Sequence, residues 1–224
     1  MSILPHIEIE PPSTANATII WLHGLGATGR DFEPVVPELN LPDNMAVRFI
    51  FPHAPEIPVT INGGYIMPAW YDILEMTLDR KVDEQQLRQS SAEVHAFIDR
   101  EIERGIDSHR IIIAGFSQGG AVAFDAALTY PKPLAGLLAL STYFATVNSI
   151  DIAPANQHLP IQIFHGINDS VVSEIHGQNS VKFLSALGFE PNYQTFAMEH
   201  AVCIEEIEAI STWIQTTLSQ PSPS

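Results

Sequence analysis

Gly115-Phe116-Ser117-Gln118-Gly119 lies between two readable runs. Before it, Arg110-Ile-Ile-Ile-Ala114 reads as a buried strand; after it, Gly120-Ala-Val-Ala-Phe-Asp-Ala-Ala-Leu-Thr-Tyr130 reads as a helix that starts on small residues. A Gly-x-Ser-x-Gly run between strand and helix is the signature of a nucleophile elbow. The turn is so tight that the serine takes a strained backbone conformation. Flanking side chains would collide, so glycine is needed on both sides. The serine oxygen then stands clear at a helix N-terminus, where backbone N–H groups and the helix dipole favour developing negative charge. The competing reading is an ordinary glycine-rich turn, but strand before and helix after are the context an elbow demands.

Outward from the elbow, short apolar runs recur at 18–22, 47–51, 111–114, 134–140 and 161–164, with an alternating run at 192–196. Such runs fit strands of a parallel sheet covered on both faces. Helical spacing fills the gaps. Leu87, Ser91, Val94, Ile98 and Ile102 share one face over 84–104. A second helix is predicted over 173–187, with Gly188 just past its end. A third covers 202–218, with Ile207, Ile210 and Ile214 on one side. The alternation predicts an α/β fold: a mostly parallel, doubly wound sheet flanked by helices on both faces, in a single domain over 1–218. The tail 219–224 reads as disordered. The segment 53–79 breaks the alternation. It holds Pro55, Pro58, Pro68, Gly63-Gly64, Tyr65, Trp70 and Tyr71, and reads as a loop folded over the C-terminal edge of the sheet, forming part of a substrate pocket.

Composition narrows the class of protein. The chain has 224 residues and a formal net charge of −16. Nucleic acid is excluded as a partner, because its phosphates need an excess of Lys and Arg, and here 10 basic residues face 26 acidic ones; anionic membranes would repel the chain on average. Cys203 is the single cysteine, so no internal disulfide can form, and a reducing compartment fits. The first residues show neither the basic region nor the apolar core of a signal peptide, and no apolar run reaches the length of a membrane span. The cytoplasm is the expected location, with no stable membrane insertion.

A serine becomes nucleophilic at neutral pH only with a base, and the base needs an orienting acid. Each should follow its own strand. His200 follows the strand at 192–196 and Asp169 follows the strand at 161–164, so Ser117, Asp169 and His200 occur in the chain order expected for such a triad. The neighbouring Asn168 cannot carry the negative charge that stabilises an imidazolium. His6, His23, His53, His95 and His165 read as structural; His23 and His165 each precede a glycine at a strand end, where an imidazole can brace the turn. An oxyanion hole needs two backbone donors: the Gln118 amide, and Leu25 in the glycine-rich loop His23-Gly-Leu-Gly-Ala-Thr-Gly29. That loop lacks the spacing of a dinucleotide site and the lysine of a P-loop. No His-Glu-x-x-His run points to a metal.

Taken together, Leu22-His-Gly-Leu-Gly26, Phe51-Pro-His-Ala-Pro55, Met67-Pro-Ala-Trp-Tyr-Asp72, Gly115-Phe-Ser-Gln-Gly-Gly120, His165-Gly-Ile-Asn-Asp169 and His200 resemble the phospholipase/carboxylesterase family of α/β-hydrolases. That family includes acyl-protein thioesterases and small bacterial carboxylesterases, and the run Pro58 to Asp72 looks especially like the bacterial branch. The resemblance implies an α/β-hydrolase fold and a cofactor-free serine carboxylesterase acting on short- to medium-chain acyl esters. The alternative within the family is an acyl-protein thioesterase or lysophospholipase, whose substrate is a lipid or an acylated protein. It also implies a triad of Ser117, Asp169 and His200, oxyanion donors at Leu25 and Gln118, and an acyl pocket drawn from Met67, Trp70, Tyr71 and Val172. An apolar rim around such a pocket is a surface on which a homodimer could form. The chain departs from the family pattern at Glu199 and Ala201, where Gly and Ser are usual, at Ala27 in place of Asp, and at Ser173 in place of Pro. A hydrolase-fold binding protein with a vestigial triad is the reading from another class.

Overall fold

The computed structural model describes residues 3–42, 44–75 and 81–219. Its strands are β1 (His6–Ile9), β2 (Ala17–Leu22), β3 (Val47–Pro52), β4 (Glu56–Val59), β5 (Tyr65–Pro68), β6 (Ile111–Phe116), β7 (Gly136–Leu140), β8 (Ile161–Gly166) and β9 (Asn192–Phe196). Its α-helices are α1 (Val35–Glu38), α2 (Glu84–Glu103), α3 (Gln118–Thr129), α4 (Glu174–Ala186) and α5 (Ile204–Ser219).

Seven strands form one sheet in the order β1-β3-β2-β6-β7-β8-β9. Every pairing is parallel except β1 with β3. The central strands β2, β3, β7 and β8 are buried along their whole length, which is why they read as unbroken apolar runs rather than alternating ones. One face packs against α2, α3 and α4 through residues such as Leu87, Phe97, Phe124 and Leu184. The other packs Trp21, Phe49 and Phe51 against Ile210, Ile214 and Leu218 of α5, with Val35 and Val36 of α1 at its margin. Helices on both faces of a mostly parallel sheet make this the α/β-hydrolase architecture expected from the sequence. Among the described residues no helix is long and apolar enough to cross a membrane.

Three features differ from the sequence reading. Strand β1 was not expected: its four residues, His6-Ile7-Glu8-Ile9, are half-buried throughout and carry no apolar run. It is held by charge as much as by pairing, since Glu8 and Glu10 meet Arg48, Arg100 and Arg104. The segment 53–79 is not wholly a loop, because β4 and β5 pair as an antiparallel hairpin within it. Prolines at Pro58 and Pro68 mask those strands in the sequence, and they are tolerated in a two-stranded ribbon because it is all edge. Residues 76–79 of the segment lie outside the described residues. Finally, α5 runs through Ser219, so that residue belongs to the last helical turn and not to the disordered tail expected from 219; residues 220–224 lie outside the described residues.

Because β2, β6, β7, β8 and β9 run parallel, their C-terminal ends share one edge of the sheet. The hairpin segment is fastened across that edge. Gly26 N–H donates to Pro68 O at 2.8 Å, while Ala69 N–H donates to Pro55 O at 2.9 Å within the segment itself.

Candidate active site

At the end of β6 the chain turns into α3 through Ser117, which has φ 54° and ψ −120°. A non-glycine residue in this left-handed region is strained and persists only where its surroundings over-determine it. They do so here. Ser117 N–H donates to Leu140 O at 2.9 Å, and Thr142 Oγ1 donates to Ser117 O at 2.6 Å. The glycines are required by contact. A Cβ on Gly115 would run into the Gly119 carbonyl, and one on Gly119 would lie 2.5 Å from His23 O. Helix α3 can therefore sit directly against the ends of β6 and β2 only because these positions lack side chains.

The loop after β8 carries Asp169 and the loop after β9 carries His200. His200 Nδ1 lies 2.6 Å from Asp169 Oδ2, and His200 Nε2 lies 2.9 Å from Ser117 Oγ. A carboxylate only accepts, so Nδ1 carries the proton and the Nε2 lone pair faces the serine hydroxyl. The other carboxylate oxygen, Oδ1, accepts the amides of Val171 at 2.9 Å and Val172 at 2.8 Å. Burial pushes the Asp169 carboxyl up, and is the largest single influence. The His200 hydrogen bond and the two amides together outweigh it and hold the group below its usual range. The His200 ring also packs against Phe116, with centroids 4.7 Å apart. The Glu199 side chain is exposed and forms no ion pair with His200.

The early loop returns to the same place. A Cβ on Gly24 would lie 3.4 Å from Ser117 Cβ, so this backbone runs beside Ser117. Gly26 takes φ 73°, the conformation that lets the loop turn tightly. The Leu25 and Gln118 amides have no backbone acceptor among the described residues. Both N–H groups are thus without a backbone partner, one directly after Ser117 and one directly after Gly24.

Two imidazoles act as braces. His165 Nε2–H donates to Val172 O at 2.7 Å, which holds the turn carrying Asp169. His23 Nδ1–H donates to Gly24 O at 2.7 Å, while its Nε2 accepts the Ala54 amide at 3.1 Å. Burial lowers the pKa of both rings, so both are held neutral. His53 and His95 likewise make backbone contacts, with Gly29 N–H and Ala126 O.

The expected pocket residues are placed as follows. Trp70, Tyr71 and Val172 are buried, and Met67 is half-buried with its Sδ beside the backbone of Gly26. Tyr71 meets Tyr143 through their hydroxyls at 2.7 Å. Trp70 also lines a cleft of about 310 Å³ with Leu4, Pro55, Ile57 and Gln86, none of them residues of the Ser117 site. The side chain of Gln118 was not singled out from the sequence. Its Oε1 accepts the Trp70 amide at 2.9 Å and its Nε2 donates to Tyr71 O at 2.7 Å. This clamps the hairpin segment to the elbow. The only signal in the sequence was a long amide at a buried helix start, where an apolar residue would otherwise serve.

The family model described as phospholipase/carboxylesterase matches residues 5–218. An acyl-protein thioesterase 1 of Cryptococcus neoformans var. neoformans is 38% identical over 237 residues, covering 96% of this chain and 98% of the relative. One of Neurospora crassa is 36% identical over 225 residues, covering 96% of this chain and 92% of the relative. The crystal structure of Zea mays acyl-protein thioesterase 2 superposes with a TM-score of 0.84 at 27% identity, covering 96% of this chain and 100% of that one.

Proposed function

This chain belongs to the phospholipase/carboxylesterase family of α/β-hydrolases, whose members here are ester and thioester hydrolases, and we propose that it works through Ser117, Asp169 and His200 on acyl thioesters and esters. The observation that carries the reading is the His200 imidazole spanning Ser117 Oγ and Asp169 Oδ2 at 2.9 and 2.6 Å. His200 Nε2 takes the serine proton as Oγ attacks the acyl carbonyl. The Leu25 and Gln118 amides receive the oxyanion. The imidazolium then protonates the leaving thiol or alcohol, with Asp169 stabilising its charge, and the acyl-enzyme forms. Water, activated by the same Nε2, releases the acid and restores the serine. No cofactor takes part in any of these steps.

The substrate is an acyl thioester in the form we favour, and the names of the relatives at 36 and 38% identity support that choice. Met67, whose Sδ lies beside Gly26, then forms part of the acyl site, with Trp70, Tyr71 and Val172 as buried wall residues. The second reading is a carboxylesterase of short- to medium-chain esters, favoured by the near-complete burial of those three residues. Comparing kcat/KM on acyl-peptide thioesters with that on p-nitrophenyl esters of rising chain length separates the two. The cytoplasm is the compartment we propose, because a lone cysteine suits a reducing milieu.

The founding test is labelling with a fluorophosphonate, adduct mapping by mass spectrometry, and Ser117→Ala as control. An adduct at Ser117 that vanishes in the variant is expected. A folded protein that takes no label would remove the serine mechanism and leave a hydrolase-fold binding protein.

A further inference from the structure

We propose that His23 is a positioning residue for the oxyanion hole, acting as its neutral Nδ1–H tautomer through the Gly24–Leu25 peptide. The proposal rests on reading Ser117 as the nucleophile and the Leu25 amide as an oxyanion donor.

The described chain contains no cis peptide bond. In a planar trans unit the carbonyl of one residue and the N–H of the next point in opposite directions. Fixing Gly24 O therefore fixes the direction of the Leu25 N–H. Gly24 O receives His23 Nδ1–H at 2.7 Å and the Ala27 amide at 3.2 Å. The Ala27 bond closes a turn through Gly26, which is exposed and at φ 73°, so by itself it ties the peptide to a compliant loop. The His23 bond ties it to the core.

His23 is suited to that task because both its ring nitrogens and its carbonyl are engaged. It is fully buried. Its Nε2 accepts the Ala54 amide at 3.1 Å, and its carbonyl accepts Trp70 Nε1–H at 2.8 Å. The ring lies 5.1 Å from the Trp70 ring. Helix α3 presses on the same point, where Gly119 passes against His23 O. A proton on Nε2 would set two donors face to face at Ala54, so only one tautomer satisfies both neighbours. Burial keeps the ring uncharged, in agreement with that requirement.

The test uses two isosteres. The side-chain amide of Asn stands where Nδ1 stood and can still donate to Gly24 O. That of Gln stands where Nε2 stood and can meet Ala54 only. kcat and KM on a p-nitrophenyl ester, the rate of fluorophosphonate labelling and thermal unfolding are measured for wild type, His23→Asn and His23→Gln. The expected result for His23→Gln is a kcat lower by about tenfold to a hundredfold with KM changed less than about threefold, since the lost interaction is made mainly in the transition state. His23→Asn recovers most of that loss. If both variants melt earlier yet keep the wild-type kcat per labelled site, His23 is only a structural brace and the proposal is overturned. Equal losses of kcat in both also overturn it. Should His23→Gln fail to fold, imidazole nitrogen NMR of the wild type decides: a bare Nε2 and protonated Nδ1 at neutral pH are expected, and any other tautomer sinks the idea. Absence of Ser117 labelling in the wild type is the separate signature that the parent reading has failed.

Discussion

Asp169 Oδ2 lies 2.6 Å from His200 Nδ1, while the neighbouring oxygen is taken by the amides of Val171 and Val172. The carboxylate cannot turn away without abandoning two backbone donors. Asp169→Asn keeps the shape but offers an N–H or a weaker acceptor to an imidazole that needs a carboxylate. A kcat loss of about 10³- to 10⁴-fold is expected, with the fold intact. Steady-state kinetics with active sites counted by labelling checks this, and a loss under tenfold would remove Asp169 from the triad. The sign of its effect on stability also follows. Its pKa is lowered in the fold, so its contribution is present above the ordinary aspartate value and is lost as acid protonates it.

Gly119→Ala tests the contact between the elbow and β2. The added methyl would lie 2.5 Å from His23 O and 2.6 Å from Leu22 O, both backbone atoms that cannot swing aside. Destabilisation of about 1–3 kcal/mol is expected from overpacking. Urea unfolding measures it, and a midpoint equal to wild type would show that α3 can retreat from the sheet.

Gln118→Ala keeps the backbone amide yet strands the buried Trp70 N–H and takes one donor from the Tyr71 carbonyl. An unpaired buried N–H costs about 1–3 kcal/mol. Lower thermal stability should come with easier proteolysis of the hairpin segment. Unchanged protection there would mean that the clamp is redundant.

Glu206 in the first turn of α5 is fully buried, and neither carboxyl oxygen is hydrogen-bonded. Burial, opposed only by the nearby Cys203 amide, pushes its pKa from 4.5 up to about 8. Between those values the unfolded chain has released the proton and the folded chain has not. Stability therefore falls as pH rises through this window, by at most about 1.4 kcal/mol per pH unit. Glu206→Gln has no such proton to lose. The melting-temperature advantage of the variant should widen from about pH 5 to about pH 8; a constant gap would show that the carboxyl reaches water.

Glu101 is the buried centre of a charge cluster, 2.6 Å from Arg48 Nη1, 2.9 Å from Arg104 Nη1 and 2.8 Å from Thr18 Oγ1. Glu101→Ala leaves Arg48 largely buried and short of its closest partner. A loss of about 3–5 kcal/mol is expected. Thr18 lies near the start of β2 and the Ser117 site at the far end, so kcat per folded molecule should not change. A fall in kcat would mean that the cluster is coupled to the site through the sheet.

What could be read in the sequence was set by burial. Strands covered on both faces, such as β2 and β8, leave apolar runs that periodicity detects, and the glycines at 115 and 119 declare the elbow through steric need. Strand β1 left no such trace, because Glu8 and Glu10 hold it through arginines that are distant in sequence. The β4–β5 hairpin was hidden by its prolines. The residues Ser117, Asp169 and His200 could be ordered along the chain by their positions after strands. The Gln118 clamp and the orientation of His23 could not, since each depends on which backbone atom lies opposite a side chain once the loops have closed.

The parallel register of β8 with β9 sets Gly166 opposite Phe196. Asp169 and His200 hang three and four residues beyond that pair, and a slip of one residue along β9 would carry His200 about 3.3 Å away from both partners. Two hydrogen bonds of 2.6 and 2.9 Å cannot survive such a step. A simple colour assay on an ester is thereby a gauge of strand alignment at the late edge of the sheet. A compact refolding species with the right helices but a shifted last strand would be silent in it.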